Sequence, residues 1–211
     1  MAVVTISRQF GAGGHTLGTT LAEKLGYQLV DREILKQIAE EAKVSIKWVE
    51  AVEKEAGGLL MRLVNSMVSA SFIDRLIGEE RADFDEKKYL SFVRRIITDI
   101  GDEGNAVIVG RGAQFILPDR EDVIKILLVA ELKDRIKFMS RHYDLNRNRA
   151  EDLVRREDKR RSTILGIFHS GNPDKPHLYT LVFNTSSISM EEAEDTIVNL
   201  VGRINEVRQA S

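Results

Sequence analysis

Gly11, Gly13 and Gly14 stand within four positions of one another and are followed at once by His15 and Thr16. Glycines this dense free the backbone to curl, so that consecutive N–H groups turn inward and face an anion. Ala2-Val3-Val4-Thr5-Ile6 upstream is an apolar, β-branched run that reads as a buried strand. Downstream, Leu17, Leu21 and Leu25 recur every four residues while Glu23 and Lys24 turn to solvent, which is a helix face. Strand, glycine loop and helix together make a phosphate cradle at the open end of the helix. The competing reading is a tight turn with no ligand, which leaves the entropy cost of three glycines without a use.

Laid over the G-A-G-K-G-T of nucleotide kinases, residues 11–16 put Arg8 at the first glycine of the Walker pattern and Gly14 at its lysine. The expectation is therefore a cradle built from Gly11, Ala12, Gly13, Gly14, His15 and Thr16. Main-chain dipoles hold the donor phosphates, and the Arg8 guanidinium stands in for the missing ammonium. His15 occupies the place of the usual metal-binding hydroxyl, so Thr16 is the nearest candidate for a metal ligand.

Other candidate residues follow along the chain. Asp31, with Arg32, ends the short strand 27–30, where open α/β sheets place their ligands; Asp31 equally suits the N-cap of the next helix. Arg111 is delivered between Gly110 and Gly112 at the end of the strand 105–109, and reads as a phosphate contact. Residues 147–161 hold six Arg and one Lys against four carboxylates. That preference for the planar guanidinium fork points to oxyanions and to a lid that closes over a transferring phosphoryl group. Asp158 and Arg161 lie one turn apart, placed either to pair or to divide between an acceptor and its phosphate.

Composition narrows the chemistry. The 211 residues are 43% hydrophobic and 30% charged, as expected of a soluble globular chain with one α/β domain. A net charge of −2 gives no support to a nucleic-acid partner, and the absence of Cys removes disulfides, thiolate metal sites and thiol catalysis. The four His lack the spacing of a zinc helix. No apolar run reaches membrane-spanning length and no charged leader precedes the first strand, so the expectation is a cytoplasmic protein without a membrane partner.

The elements that must position these groups are five strands, read at 2–6, 27–30, 105–109, 122–130 and 178–183, alternating with helices. They predict a mainly parallel sheet covered on both sides. Helical signal fills 44–100, with strong periodicity from Asp85 to Ile100. Helix 131–143 is expected to turn Leu132, Ile136 and Met139 inward and Lys133, Arg135, Lys137 and Arg141 mostly outward. Residues 163–177 read as loop. Asn184 and Thr185 suit either the capping of the last helix or the border of a nucleotide base.

The order VTISRQFGAGGHTLGTTLAEKLGYQLVDREIL, AVIVGRGA, an Arg-rich segment with Asp158-x-x-Arg161, then LVFNTSSIS resembles the cytidylate kinase-like family of P-loop nucleoside monophosphate kinases. The resemblance implies a three-layer P-loop NTPase fold in a single domain over 1–211, with a helical acceptor-binding insertion at 32–100 and an Arg-rich lid and loop at 144–177. It implies transfer of the γ-phosphoryl of ATP, with Mg²⁺, to CMP or dCMP. Arg8, Arg111 and Arg161 would stabilise charge, while Asp31, Arg32, Arg111 and Asp158 would hold the acceptor. The family's acceptor segment keeps its Asp at Asp31 but has Gln37 in place of its Arg, and Gly112 replaces the Asp of the V-G-R-D segment. Two alternatives stay open: a nucleotide-binding regulatory protein that has lost catalysis, and a kinase for another small acceptor.

Overall fold

A computed structural model describes residues 1–31, 86–117 and 120–209. Arg32, the predicted helix that Asp31 would cap and most of the 32–100 insertion lie outside these residues. The described elements are β1 (Val3–Arg8), α1 (Gly14–Leu25), β2 (Gln28–Val30), α2 (Glu86–Glu103), β3 (Ala106–Val109), α3 (Ala113–Ile116), β4 (Val123–Val129), α4 (Leu132–His142), α5 (Arg147–Phe168), a 3-10 turn (Pro176–Leu178), β5 (Leu181–Asn184) and α6 (Met190–Gln209).

All five strands pair in parallel, in the order β2-β3-β1-β4-β5. Burial on both faces explains why β1, β3 and β4 read as continuous apolar runs rather than as alternating ones. Val3, Ile108 and Val123 face one side with Val93, Ile97 and Ile100 of α2 and Ile116 of α3. Val4, Ile6, Val107, Ile124 and Leu128 face the other with Leu17 and Leu21 of α1 and Ile197 and Val201 of α6. Fully burying each such side chain contributes about 1.5–3 kcal/mol. A third cluster of Ile136, Met139, Ala150 and Val154 joins α4 to α5. Among the described residues no helix is long and apolar enough to cross a membrane.

Several expectations are corrected. β1 continues to Arg8, because Ser7 and Arg8 still pair with Leu127 and Leu128 of β4. The Arg-rich helix does not stop at 162 but runs to Phe168. The backbone entropy of a lone Gly166, about 1 kcal/mol, is offset by burial of Leu165 and the packing of Phe168 on the α2 side of the sheet. The fifth strand begins at Leu181, because Pro176 starts a 3-10 turn and Tyr179 is spent on a side-chain contact. Arg135 is buried rather than outward, since it bonds to the backbone and to a carboxylate.

Candidate active site

The glycine loop is fastened at its start by Gln9. The Gln9 N–H donates to the carbonyl of Leu128, and Gln9 Oε1 accepts from the N–H of Ala130, fixing the loop to the end of β4. Gly13, at φ 88°, turns the chain into α1 as an N-cap without a side-chain acceptor, and the first turn holds no acidic residue. The amides of Gly14, His15 and Thr16 are thus first-turn donors without intrahelical acceptors, and no acidic side chain within that turn offsets the positive end of the helix dipole. That is the electrostatic requirement for an anion. Thr16 is exposed on this turn.

Three guanidinium groups gather beside it. Arg8 leaves β1 on the face toward α1, as Val4 and Ile6 do. Its pKa is pushed down to about 10, chiefly by burial and then by the charges of Arg111 and Arg161, with Asp31 opposing. Arg111 sits at φ 61° between Gly110 at 82° and Gly112 at 69°, a left-handed conformation that is unfavourable for a residue with a Cβ. Non-glycine residues held there mark places where the fold imposes a direction on the side chain. Asp31, at the end of β2, has Oδ2 3.8 Å from Nδ1 of His15, whose side chain is exposed.

Arg161 is held by residues with no motif to announce them. Its Nη2 donates to Oδ1 of Asp174 at 2.7 Å and to Oγ of Ser7 at 2.9 Å. Nε2 of buried Gln114 donates to the same Ser7 hydroxyl at 3.3 Å and lies 3.5 Å from the Tyr179 hydroxyl. Tyr179 Oη donates in turn to the carbonyl of Pro173 at 2.6 Å, and burial raises the pKa of its phenol. The neighbour of Arg8 in β1 thus becomes a junction between α5 and the loop 169–178.

Asp158 has a different setting. It accepts from the Phe10 N–H at 2.9 Å and from Arg135 Nη1 at 2.6 Å, while Arg135 also donates to the carbonyls of Phe10 and Ala130. Asp158 and Arg161 therefore do not pair with one another; each is engaged elsewhere. The end of β5 brings a further correction. Thr185 Oγ1 donates to the carbonyl of Ala12 at 3.2 Å, and Asn184 Oδ1 accepts from the N–H of Ser186. The last helix is capped instead by Ser189, whose N–H and Oγ donate to Glu192 while Oγ accepts the Glu192 N–H.

A family model for the cytidylate kinase-like family matches residues 3–187. The chain belongs to that family. The match takes in every site residue placed above, from Arg8 to Thr185.

This cytidylate kinase-like chain is also similar in fold to solved structures. An uncharacterized protein from Eubacterium ventriosum superposes with a TM-score of 0.68 at 17% identity, over 96% of this chain and 98% of that one. The protein TT1252 from Thermus thermophilus gives 0.52 at 20% identity, over 96% and 97%. Shikimate kinase from Acinetobacter baumannii, solved in complex with shikimate, gives 0.50 at 15% identity, over 95% and 93%. The fold is that of P-loop kinases: α/β, with a five-stranded parallel sheet between helices. A uronate isomerase of Corynebacterium glutamicum is 26% identical over 110 residues, and the chain spans about a fifth of that protein's length, 21%.

Family membership makes the cytidylate kinase-like chain a kinase-like protein of the nucleotide or small-molecule class. Ser7, Gln114, Asp174, Tyr179 and Arg135 escaped sequence reasoning. Most of their contacts join residues more than a dozen positions apart, and none of these residues sits in a recognisable spacing. The one available signal was Ser7 itself, a small polar residue where a buried apolar strand meets Arg8.

Proposed function

We propose that this protein transfers the γ-phosphoryl group of ATP, with Mg²⁺, to a pyrimidine nucleoside monophosphate such as CMP or dCMP. The observation that carries this reading is the gathering of Arg8, Arg111 and Arg161, with Arg8 lying against a first helical turn that itself holds no acidic residue. Like charges are assembled at a cost, and an anion with several negative oxygens relieves it.

In this reading residues 11–16 cradle the donor phosphates through main-chain N–H groups. Asp31 and Arg111 face the acceptor from the ends of β2 and β3. An oxygen of the acceptor phosphate attacks the γ-phosphorus, the bond to the β-phosphate oxygen breaks, and ADP leaves; the arginines neutralise charge spread over the equatorial oxygens. Thr16, with its exposed side chain on the first turn, fits a metal brought in largely by phosphates and water, which suits Mg²⁺. When bound, that ion neutralises charge on the donor. The α5 helix excludes water as the lid, with Arg161 as its phosphate-facing group and Asp158 holding the helix to the loop. One domain over 1–211, with the acceptor-binding insertion at 32–100 and the lid at 144–177, completes the proposal. We place the protein in the cytoplasm, without nucleic-acid or membrane partners.

The test is ADP formation from ATP in a coupled assay over CMP, dCMP, UMP, AMP and shikimate. Turnover confined to pyrimidine monophosphates is expected. Turnover with shikimate or another alcohol alone defeats the acceptor assignment. A regulatory reading is favoured by one observation, the carboxylate of Asp174 on Arg161. ATP binding without turnover on any acceptor would establish it.

A further inference from the structure

Gly13, Gly14 and Gly110 line the site, and only Gly14 has a backbone that any L residue could adopt. Gly13 has a left-handed φ of 88° that disfavours any side chain. Gly14, the first residue of α1, has no such constraint, since a helical backbone accepts any L residue. What excludes a side chain there is Arg8. A Cβ on Gly14 would lie 2.6 Å from Arg8 Cγ and 2.9 Å from Cδ, closer than real Cβ contacts come, and 3.0 Å from its Cβ, so the Arg8 stem would have to shift. Further along the same side chain, a Cβ on Gly110 would collide with Arg8 Nη1. Arg8 thus runs in a slot floored by Gly14 and ended by Gly110, with its guanidinium between the first turn of α1 and the Arg111 turn.

We infer that Arg8 and Gly14 are one device: the phosphate-gripping cation has moved from the helix to the preceding strand, Arg8 contacts the phosphoryl group being transferred, and Gly14 is glycine because the Arg8 stem lies across it. The inference rests on the kinase reading and deepens it, since it assigns the cation to the donor's terminal phosphate rather than to the acceptor. The position of the head group supports this. It lies between the donor cradle and the acceptor-side turn, where the transferring group passes. Among the described residues, Asp31 is the carboxylate that acts on Arg8, against burial and the charges of Arg111 and Arg161, so a phosphate there would relieve the cost.

The test uses four full-length proteins: wild type, Arg8→Ala, Gly14→Lys, and the double variant carrying both changes. ATP, ADP and CMP binding are measured by calorimetry and folding by thermal melting. Arg8→Ala should weaken ATP binding about tenfold or more, the loss of a charge-assisted hydrogen bond, and should weaken ADP and CMP binding less. Gly14→Lys alone should melt lower than wild type because two stems compete for one slot. The double variant should recover both the melting temperature and much of the ATP affinity, with the lysine occupying the vacated space. Arg8→Met, which keeps the stem and removes the charge, replaces Arg8→Ala for the binding measurement if the latter does not fold. ATP affinity unchanged in the charge-removing variant, a loss confined to CMP, or a double variant no better than Arg8→Ala would each overturn the inference. If wild type binds neither ATP nor ADP, the kinase reading fails and takes the phosphate role of Arg8 with it, while the melting temperatures still decide the steric pairing.

Discussion

Asp158 on α5 accepts a hydrogen bond from the Phe10 N–H at 2.9 Å, so the Arg-rich helix is tied to the start of the glycine loop. The same carboxylate holds Arg135, whose side chain is only 8% exposed. Asp158→Ala would leave a buried cation short of its partner and a loop amide short of its acceptor. It should cost about 2 kcal/mol or more in urea unfolding. Asp158→Asn, which keeps an acceptor for Phe10, should cost less. Turnover lost in Asp158→Ala with unfolding unchanged would instead favour direct contact with the acceptor.

Tyr179 is linked to Arg161 through hydrogen bonds that run by way of Gln114 and Ser7. Tyr179→Phe keeps the ring but leaves the Pro173 carbonyl without its donor and Gln114 without one acceptor, at about 1–2 kcal/mol. Because Ser7 and Asp174 fix Arg161 from this network, the variant should lower kcat more than it raises the KM for ATP. Equal loss in both constants would mark Tyr179 as packing alone.

Thr185 joins the end of β5 to the Ala12 carbonyl. Thr185→Val conserves shape and removes that bond along with the weaker one to Val129. A stability loss of about 1 kcal/mol is expected, and the loosened loop should release ATP faster in stopped-flow measurements. Dissociation at the wild-type rate would show that the loop needs no support from β5.

At the opposite end of the sheet from the site, Asp122 accepts hydrogen bonds from Arg120 and Arg208. Chiefly through Arg120, they hold its carboxyl well below the usual carboxylate range, against the opposing effect of burial. A depressed carboxyl stabilises the fold fully above the unfolded-state value of about 4 and loses that contribution as pH falls below it. Wild type should therefore lose stability steeply on acidification below about pH 4, and Asp122→Asn should be less stable at neutral pH with a shallower acid limb. Parallel acid limbs in chemical unfolding would contradict this.

Local order was written in the chain itself. Apolar β-branched runs made β1, β3 and β4 legible, because burial on both faces leaves a strand no polar positions. Leucines four apart did the same for α1, and three glycines marked the tight turn that leads into it. Local signals misled at Thr163, where Gly171, Pro173 and Pro176 further along suggested a loop, and at Asn184, where a capping residue type was spent on a turn while Ser189 took the cap.

Tertiary structure alone decided who partners whom. That Arg161 meets Asp174 and Ser7, that Asp158 meets Phe10 and Arg135, and that Gly14 yields its space to Arg8 are contacts made when β1, α1, α4 and α5 are packed together. Periodicity fixes which face of an element is buried, since that depends on neighbours a few residues away. It is silent on which buried or charged side chain lies opposite, because that depends on the register and angle at which separate elements come together.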